Sequence, residues 1–219
     1  MALSRLNYNS LNVTPTASKG IGFDSGADDL AATFSGGSMT FIKKLTASTS
    51  DTLSFVDGTS DVVIDSTYKE YMFIFNDIHP SSEDGKFGFQ GNVAGGADYN
   101  ETITSTFFFS FHIEGDTSAS VSYQAAGDQA EGTAFQPLSD NIGLDNDQSG
   151  SGYLHIFNPS STTFVTHFIA RTNSCSANDY SVDGYTAGYF NTTSAIDEIQ
   201  FKMSSGNIDA GTISLYGIN

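Results

Sequence analysis

Tryptophan is absent from this 219-residue chain, cysteine occurs once, proline four times, and only eight residues are basic. Each shortage excludes something. The single cysteine, Cys175, rules out an intrachain disulfide framework, so stability must come from packing or from neighbouring subunits. Eight basic residues against 25 acidic ones leave a formal charge of −17. A field of that sign repels phosphate backbones and anionic bilayers, which argues against nucleic-acid binding and membrane docking. No apolar run approaches the roughly 18 residues of a membrane span. The opening stretch, residues 1–20, lacks the apolar centre of a signal peptide. The sequence therefore reads as a protein made in a cytoplasm, without insertion into a membrane.

What is present points to a folded β protein. Phenylalanine (18) and tyrosine (10) are abundant, so the chain has the means to build a core. Charged residues are only 15% of the whole, leaving a surface mostly of Ser, Thr, Asn, Gln and Gly. A length of 219 residues suits one large β domain with a short appendage. Residues 1–37 are poor in large apolar side chains and read as an extended N-terminal arm, an attachment segment with one short strand at Gly20–Phe23. From residue 38 to 219 the pattern is that of a single β-sandwich domain. Short alternating runs are separated by Gly, Asn, Asp and Ser, and no segment of ten residues carries a helical period.

Individual runs make this concrete. In Ser38–Ala47, Met39 and Phe41 share one face, Thr40 and Ile42 the other. In Tyr68–His79, Tyr71, Phe73 and Phe75 share one face while Met72, Ile74 and Ile78 share the other, which predicts a central strand covered on both sides and ended by Pro80. Lys86–Gly91 turns Phe87 and Phe89 inward, and Thr102–Ile113 aligns Phe107, Phe109 and Phe111. Ala119–Ala125, Gly152–Asn158, Thr163–Arg171, Tyr185–Asn191, Ile196–Met203 and Gly211–Ile218 complete the set, with a long loop from Gly127 to Gly150 that pairs briefly near Phe135. Strands joined by short turns without crossover helices must be antiparallel, so the expected fold is an all-β, jelly-roll-like antiparallel sandwich.

Candidate chemistry is sparse. The four histidines, His79, His112, His155 and His167, lie in or at the ends of expected strands, with no pair at metal-ligand spacing. Cys175 sits in the polar stretch Thr172–Tyr180 with no base nearby, which reads as an inert thiol. Paired carboxylates could hydrolyse a glycosidic bond, but the lack of Trp speaks against a sugar-cleaving cleft, and no catalytic residue is assigned. Asp145 and Asp147, flanking Asn146 in a Gly-rich loop, are candidate calcium ligands; the full D-x-D-x-D-G loop is missing, and the competing reading is a solvated turn. Tyr99, Tyr123, Tyr153, Tyr180 and Tyr185 fall near loops or strand ends and are candidate ligand-binding residues, since tyrosine offers broad apolar area and a hydroxyl at little entropic cost.

Three stretches carry a resemblance. Tyr68–Pro80 (YKEYMFIFNDIHP), Asn141–Thr163 and Ala187–Ile218, with the opening TASKGIGFDSGADD, resemble virion proteins of marine bacteriophages that infect cyanobacteria and related oceanic hosts, of the tail-fibre-like or minor structural kind. The closing pattern from Gly206 to Ile218 also resembles carbohydrate-binding β-sandwiches. The resemblance implies a non-catalytic protein of the particle surface, most simply a host-attachment subunit (fibre, tail tip or adhesin) that recognises a cell-surface glycan, or alternatively a capsid decoration protein. It implies other virion proteins as partners and a homo-oligomer, for which a trimer is the expectation.

Overall fold

The computed structural model describes the backbone of residues 19–23, 30–35 and 38–219, and the side chains of residues 38–219. The chain divides into two compact units, Met1–Thr40 and Phe41–Asn219. In the first, β1 (Lys19–Phe23) and β2 (Leu30–Ser35) form an antiparallel hairpin. The short strand expected at Gly20–Phe23 is β1; β2 was not expected, and the remainder of the expected arm lies outside the described residues.

Twelve further strands, β3 (Met39–Thr46), β4 (Leu53–Val56), β5 (Glu70–Pro80), β6 (Phe87–Val93), β7 (Ile103–Ile113), β8 (Ala119–Tyr123), β9 (Gln136–Pro137), β10 (Gly150–Phe157), β11 (His167–Cys175), β12 (Tyr180–Phe190), β13 (Ile196–Met203) and β14 (Ile208–Ile218), build two sheets, with no helix among the described residues. One sheet has eight strands in the order β3-β14-β5-β10-β11-β12-β7-β8; the other has four, β4-β13-β6-β9. Set aside β7, β8, β11 and β12, and what remains is β3-β14-β5-β10 facing β4-β13-β6-β9. In that set the chain crosses from one sheet to the other at every step except the β6–β9 pair. That is the two-sheet Greek-key order of a jelly roll. The other four strands extend the first sheet past β10.

The core follows from strand alternation. Tyr71, Phe73 and Phe75 from β5, Phe87 and Phe89 from β6, Phe201 from β13 and Leu215 from β14 are all buried between the sheets. Phe201 is the hub: its ring centroid lies 5.3 Å from Phe73, 5.4 Å from Phe75, 5.6 Å from Phe87 and 6.2 Å from Phe55. The contacts with Phe73, Phe75 and Phe55 are edge-to-face and the one with Phe87 is stacked, and such pairs add to the burial of area.

Two details depart from the expected pattern. Alternation along β5 breaks after Phe75. The pairing with β14 and β10 shifts register there, Asp77 takes a positive φ of 54°, and opposite it Gly211 sits at φ 115°. The bulge turns Ile78 inward with Phe75, instead of outward with Met72 and Ile74. Met72 and Ile74 are half-buried, so β5 is central in its sheet but covered fully on one face only. Pro80 closes β5 from inside its last position. Cys175 is not in a loop: β11 runs four residues beyond the expected Arg171 and ends on it.

Candidate binding face

The outer faces of the two sheets are finished differently. Over the four-stranded sheet lie loops. Gln90 on β6, fully buried, points its amide at the carbonyls of Glu101, Ala134 and Thr133, at 3.0, 3.1 and 3.2 Å. Lys202 lies over the Phe135 ring at 4.3 Å. The outer face of the eight-stranded sheet instead keeps large side chains in solvent: Phe41, Phe108, Tyr123, Tyr153 and Ile169 are all exposed. This face is the candidate site, and its shape comes from the extension strands.

Register places side chains in transverse rows. Tyr153 on β10 pairs with Arg171 on β11, Arg171 with Tyr185 on β12, Tyr185 with Phe108 on β7, and Phe108 with Tyr123 on β8. All five point outward, forming a ridge across five strands. The Tyr185 and Phe108 rings stack with centroids 4.9 Å apart and an interplanar angle of 5°. That separation matches the strand spacing of about 4.8 Å, so both rings stand upright and show their edges to solvent. The Arg171 guanidinium covers the Tyr185 ring at 5.1 Å and grips Asp183 with two hydrogen bonds, Nη2 to Oδ2 at 2.7 Å and Nε to Oδ1 at 3.0 Å. The Tyr185 hydroxyl donates to the same carboxylate at 3.1 Å. Arg171 and Tyr185 together hold the Asp183 carboxyl below the usual carboxylate range, and hydrogen bonding to that carboxylate pushes the Tyr185 hydroxyl up. Tyr123 bonds Asp128.

Four residues along the strands stands a second row: Phe157, His167 and Tyr189, paired in register across β10, β11 and β12. At a strand rise of about 3.3 Å per residue the two ridges are roughly 13 Å apart. Between them run Ile169, Ala187 and Thr106. The small Ala187 side chain leaves its outward position unfilled, which opens a trough of about 470 Å³ lined by Thr104, Thr106, His167, Ile169, Ala187 and Tyr189. On the far side of the first ridge, Ser151, Tyr153, Arg171, Asn173 and Asp183 line a smaller polar depression of about 270 Å³. The face therefore offers an apolar channel flanked by aromatic walls and, beside it, a cluster of hydrogen-bonding groups of both kinds.

Three of the five tyrosines singled out from sequence, Tyr123, Tyr153 and Tyr185, belong to one ridge. Two do not. Tyr180 packs under the sheet against Phe111, 5.2 Å between centroids. Tyr99 lies over the four-stranded sheet by Ser54 and Glu198, where burial pushes its hydroxyl up to about 12. Phe108, Arg171 and Ala187 were missed. Strand alternation could have shown Phe108 facing away from Phe107 and Phe109; nothing local shows which strands lie side by side.

Asp145 and Asp147 occupy an exposed turn closed by Gln148, whose amide N–H donates to the Asp145 carbonyl at 2.8 Å and whose side chain accepts from the Asp145 amide at 3.2 Å. No group of three or more His, Cys, Asp or Glu side chains placed to hold a metal ion occurs among the described residues. Three of the histidines lie near single carboxylates: His155 approaches Glu70 at 3.0 Å, His112 approaches Asp116 at 3.2 Å and His79 lies 4.0 Å from Asp209. Burial pushes the Cys175 thiol up, with Glu114, Asp179 and Asp147 adding to the effect, the opposite of what a nucleophile needs. Compared with protein-family models, curated proteins and solved structures, the chain matches none.

Proposed function

We propose that this chain is a non-catalytic surface protein of a marine phage particle, and that the open face of its eight-stranded sheet binds a glycan of the host surface. The observation that carries the binding reading is the trough between the two aromatic ridges, with the Arg171–Asp183 depression beside it. An extended sugar chain needs a shallow channel, apolar walls for its C–H faces, and donors and acceptors for its hydroxyls. Tyr153 and Arg171 line the depression and belong to the ridge that separates it from the trough. The jelly-roll order suits viral and lectin modules alike, so the fold alone does not choose between them; the particle assignment rests on the sequence resemblance.

The test is binding of the full chain to immobilised bacterial surface polysaccharides, with Ala187→Trp to fill the trough and Tyr153→Ala to cut the ridge. Each variant is expected to lose at least about tenfold in affinity, the scale of about 1.4 kcal/mol, with an unchanged urea midpoint. Undiminished binding by Ala187→Trp removes the trough from the site, and failure of the parent chain to bind any polysaccharide removes the glycan reading.

A capsid-decoration role is favoured by a different observation. Phe164, Phe41 and Val121 stay strongly exposed at separate places on the unit, as expected of a subunit with several neighbours. Immunogold labelling of particles separates the readings, tail label supporting attachment and head label supporting decoration.

A further inference from the structure

Sheet margins invite pairing with other chains, and folded proteins usually protect them with charge, shortness or proline. The two large sheets have four margins, and three of them are protected. Strand β3 carries Lys43 and Lys44, β4 has four residues, and β9 has two, one of them Pro137. The fourth, β8, carries neither charge nor proline over its five residues. Its sequence Ala119-Ser120-Val121-Ser122-Tyr123 is uncharged, and every residue is exposed, Val121 at 72%.

The hydrogen-bond parity of β8 shows what it can accept. The ladder with β7 is bracketed by Gln124 N–H donating to the Phe107 carbonyl at 2.9 Å and Ile113 N–H donating to the Ser118 carbonyl at 3.0 Å. Antiparallel pairs alternate between bonded and non-bonded, so Ser120 and Ser122 spend their backbone groups on β7. Ala119, Val121 and Tyr123 turn theirs toward the free margin. The outward carbonyls of Val121 and Tyr123 meet only the hydroxyls of the preceding serines, at 3.4 and 3.3 Å.

We infer that β8 is a self-pairing edge, and that two copies of this chain join through antiparallel β8–β8 contact about a two-fold axis at Val121. Self-complementarity is built in. With Val121 opposite Val121 of the second copy, Ala119 falls opposite Tyr123, and all three pairs are of the bonded type, giving about six backbone hydrogen bonds. Each of these residues presents its backbone outward in both copies, so donors and acceptors match without a register slip. The uncharged strand is also where two chains of −17 can approach with least repulsion. Asp116 and Asp128 lie beyond its two ends and oppose closer approach, so the contact tightens as salt screens them. An axis normal to the sheet keeps both ridge-bearing faces on the same side of a continuous sheet. The pairing stands whether or not that face binds a glycan.

The test is sedimentation equilibrium of the full chain from about 10 μM to about 1 mM. A contact smaller than a standard interface is expected to dissociate in the range of about 10–500 μM, more tightly in about 500 mM than in about 50 mM NaCl. Val121→Pro removes an outward N–H that β7 does not use, and is expected to leave the chain monomeric at every concentration with an unchanged circular dichroism spectrum. Val121→Lys, which keeps the backbone intact, is expected to do the same, whereas Phe164→Lys at another exposed apolar residue leaves dimerisation in place. A parent chain that stays monomeric at 1 mM, or any dimer or trimer that persists in both Val121 variants, overturns the inference.

Discussion

Truncating Phe201 to alanine is the sharpest test of how the two sheets meet. The ring is fully buried and lies 5.3, 5.4 and 5.6 Å, centroid to centroid, from Phe73, Phe75 and Phe87. Removal of a buried Phe side chain costs about 3–5 kcal/mol through lost transfer energy and the cavity left behind. The upper half of that range applies, because the neighbours come from β5 and β6 in opposite sheets and neither sheet can collapse without disturbing its own ladder. The aromatic pairs add about 0.5–1.5 kcal/mol each beyond area, though not additively. We therefore expect a loss of about 4 kcal/mol. In urea, with a slope of about 2–3 kcal/mol/M for a chain of this size, the midpoint falls by about 1.3–2 M. Phe201→Leu keeps most of the volume and is expected to cost less than half as much. Combining Phe201→Ala with Phe87→Ala is expected to show coupling of about 1 kcal/mol, since the second truncation enlarges a void that already exists. A loss below about 1.5 kcal/mol for Phe201→Ala, or strict additivity with Phe87→Ala, refutes the packing of β13 on β5 and β6 described above.

Two further outcomes follow from the backbone and the charges, beside the binding and self-association tests already given. Gly211→Ala places a Cβ 2.6 Å from the Asp77 carbonyl at a φ of 115° and is expected to lower stability by about 2 kcal/mol or more in the same urea assay; a change under about 0.5 kcal/mol refutes the paired irregularity at that point. Asp197 has a carboxyl raised by burial and by the neighbouring Glu198, and its Oδ1 has no hydrogen-bond partner. A raised folded value means stability is lost as pH rises through it, so Asp197→Asn is expected to gain stability over the parent at pH 7 and to lose that advantage near pH 3. An equal difference at both pH values refutes the assignment.

Strand positions with strong alternation were legible in the sequence, and β13 agrees residue for residue with the expectation. Its Ile199, Phe201 and Met203 alternate with Gln200 and Lys202 and admit one phase. The jelly-roll class followed from many short antiparallel runs. The parity of Ile78 was not legible, because a bulge is a property of two strands and Asp77 gives no sign of it alone. The span of β11 slid for the same reason: Thr172–Cys175 is too polar to read as a strand until β10 and β12 are known to flank it. For the site, the choice of tyrosine was informative and its grouping was not. Tyr123, Tyr153 and Tyr185 lie on three separate strands, with Arg171 and Phe108 placed between them by pairing. Tyr99 and Tyr180 have the same local character and end elsewhere.

The lengthened half of the large sheet is held from beneath partly by polar ties. Gln136 is buried under β7, accepting from the Ser105 hydroxyl at 2.6 Å and donating to the Gly127 carbonyl at 2.8 Å, while Thr186 reaches the Pro137 carbonyl at 3.3 Å. Further along β7, Phe109 and Phe111 are only half-covered. Grease anchors the centre of the molecule; here a few strings of amide and hydroxyl do much of the fastening. Amide exchange should therefore grade from slow at Phe73 and Phe201 to fast at the tip carrying Ser110 and Ser120. The outlying corner can breathe, and settle around whatever it touches, while the sandwich behind it stays shut.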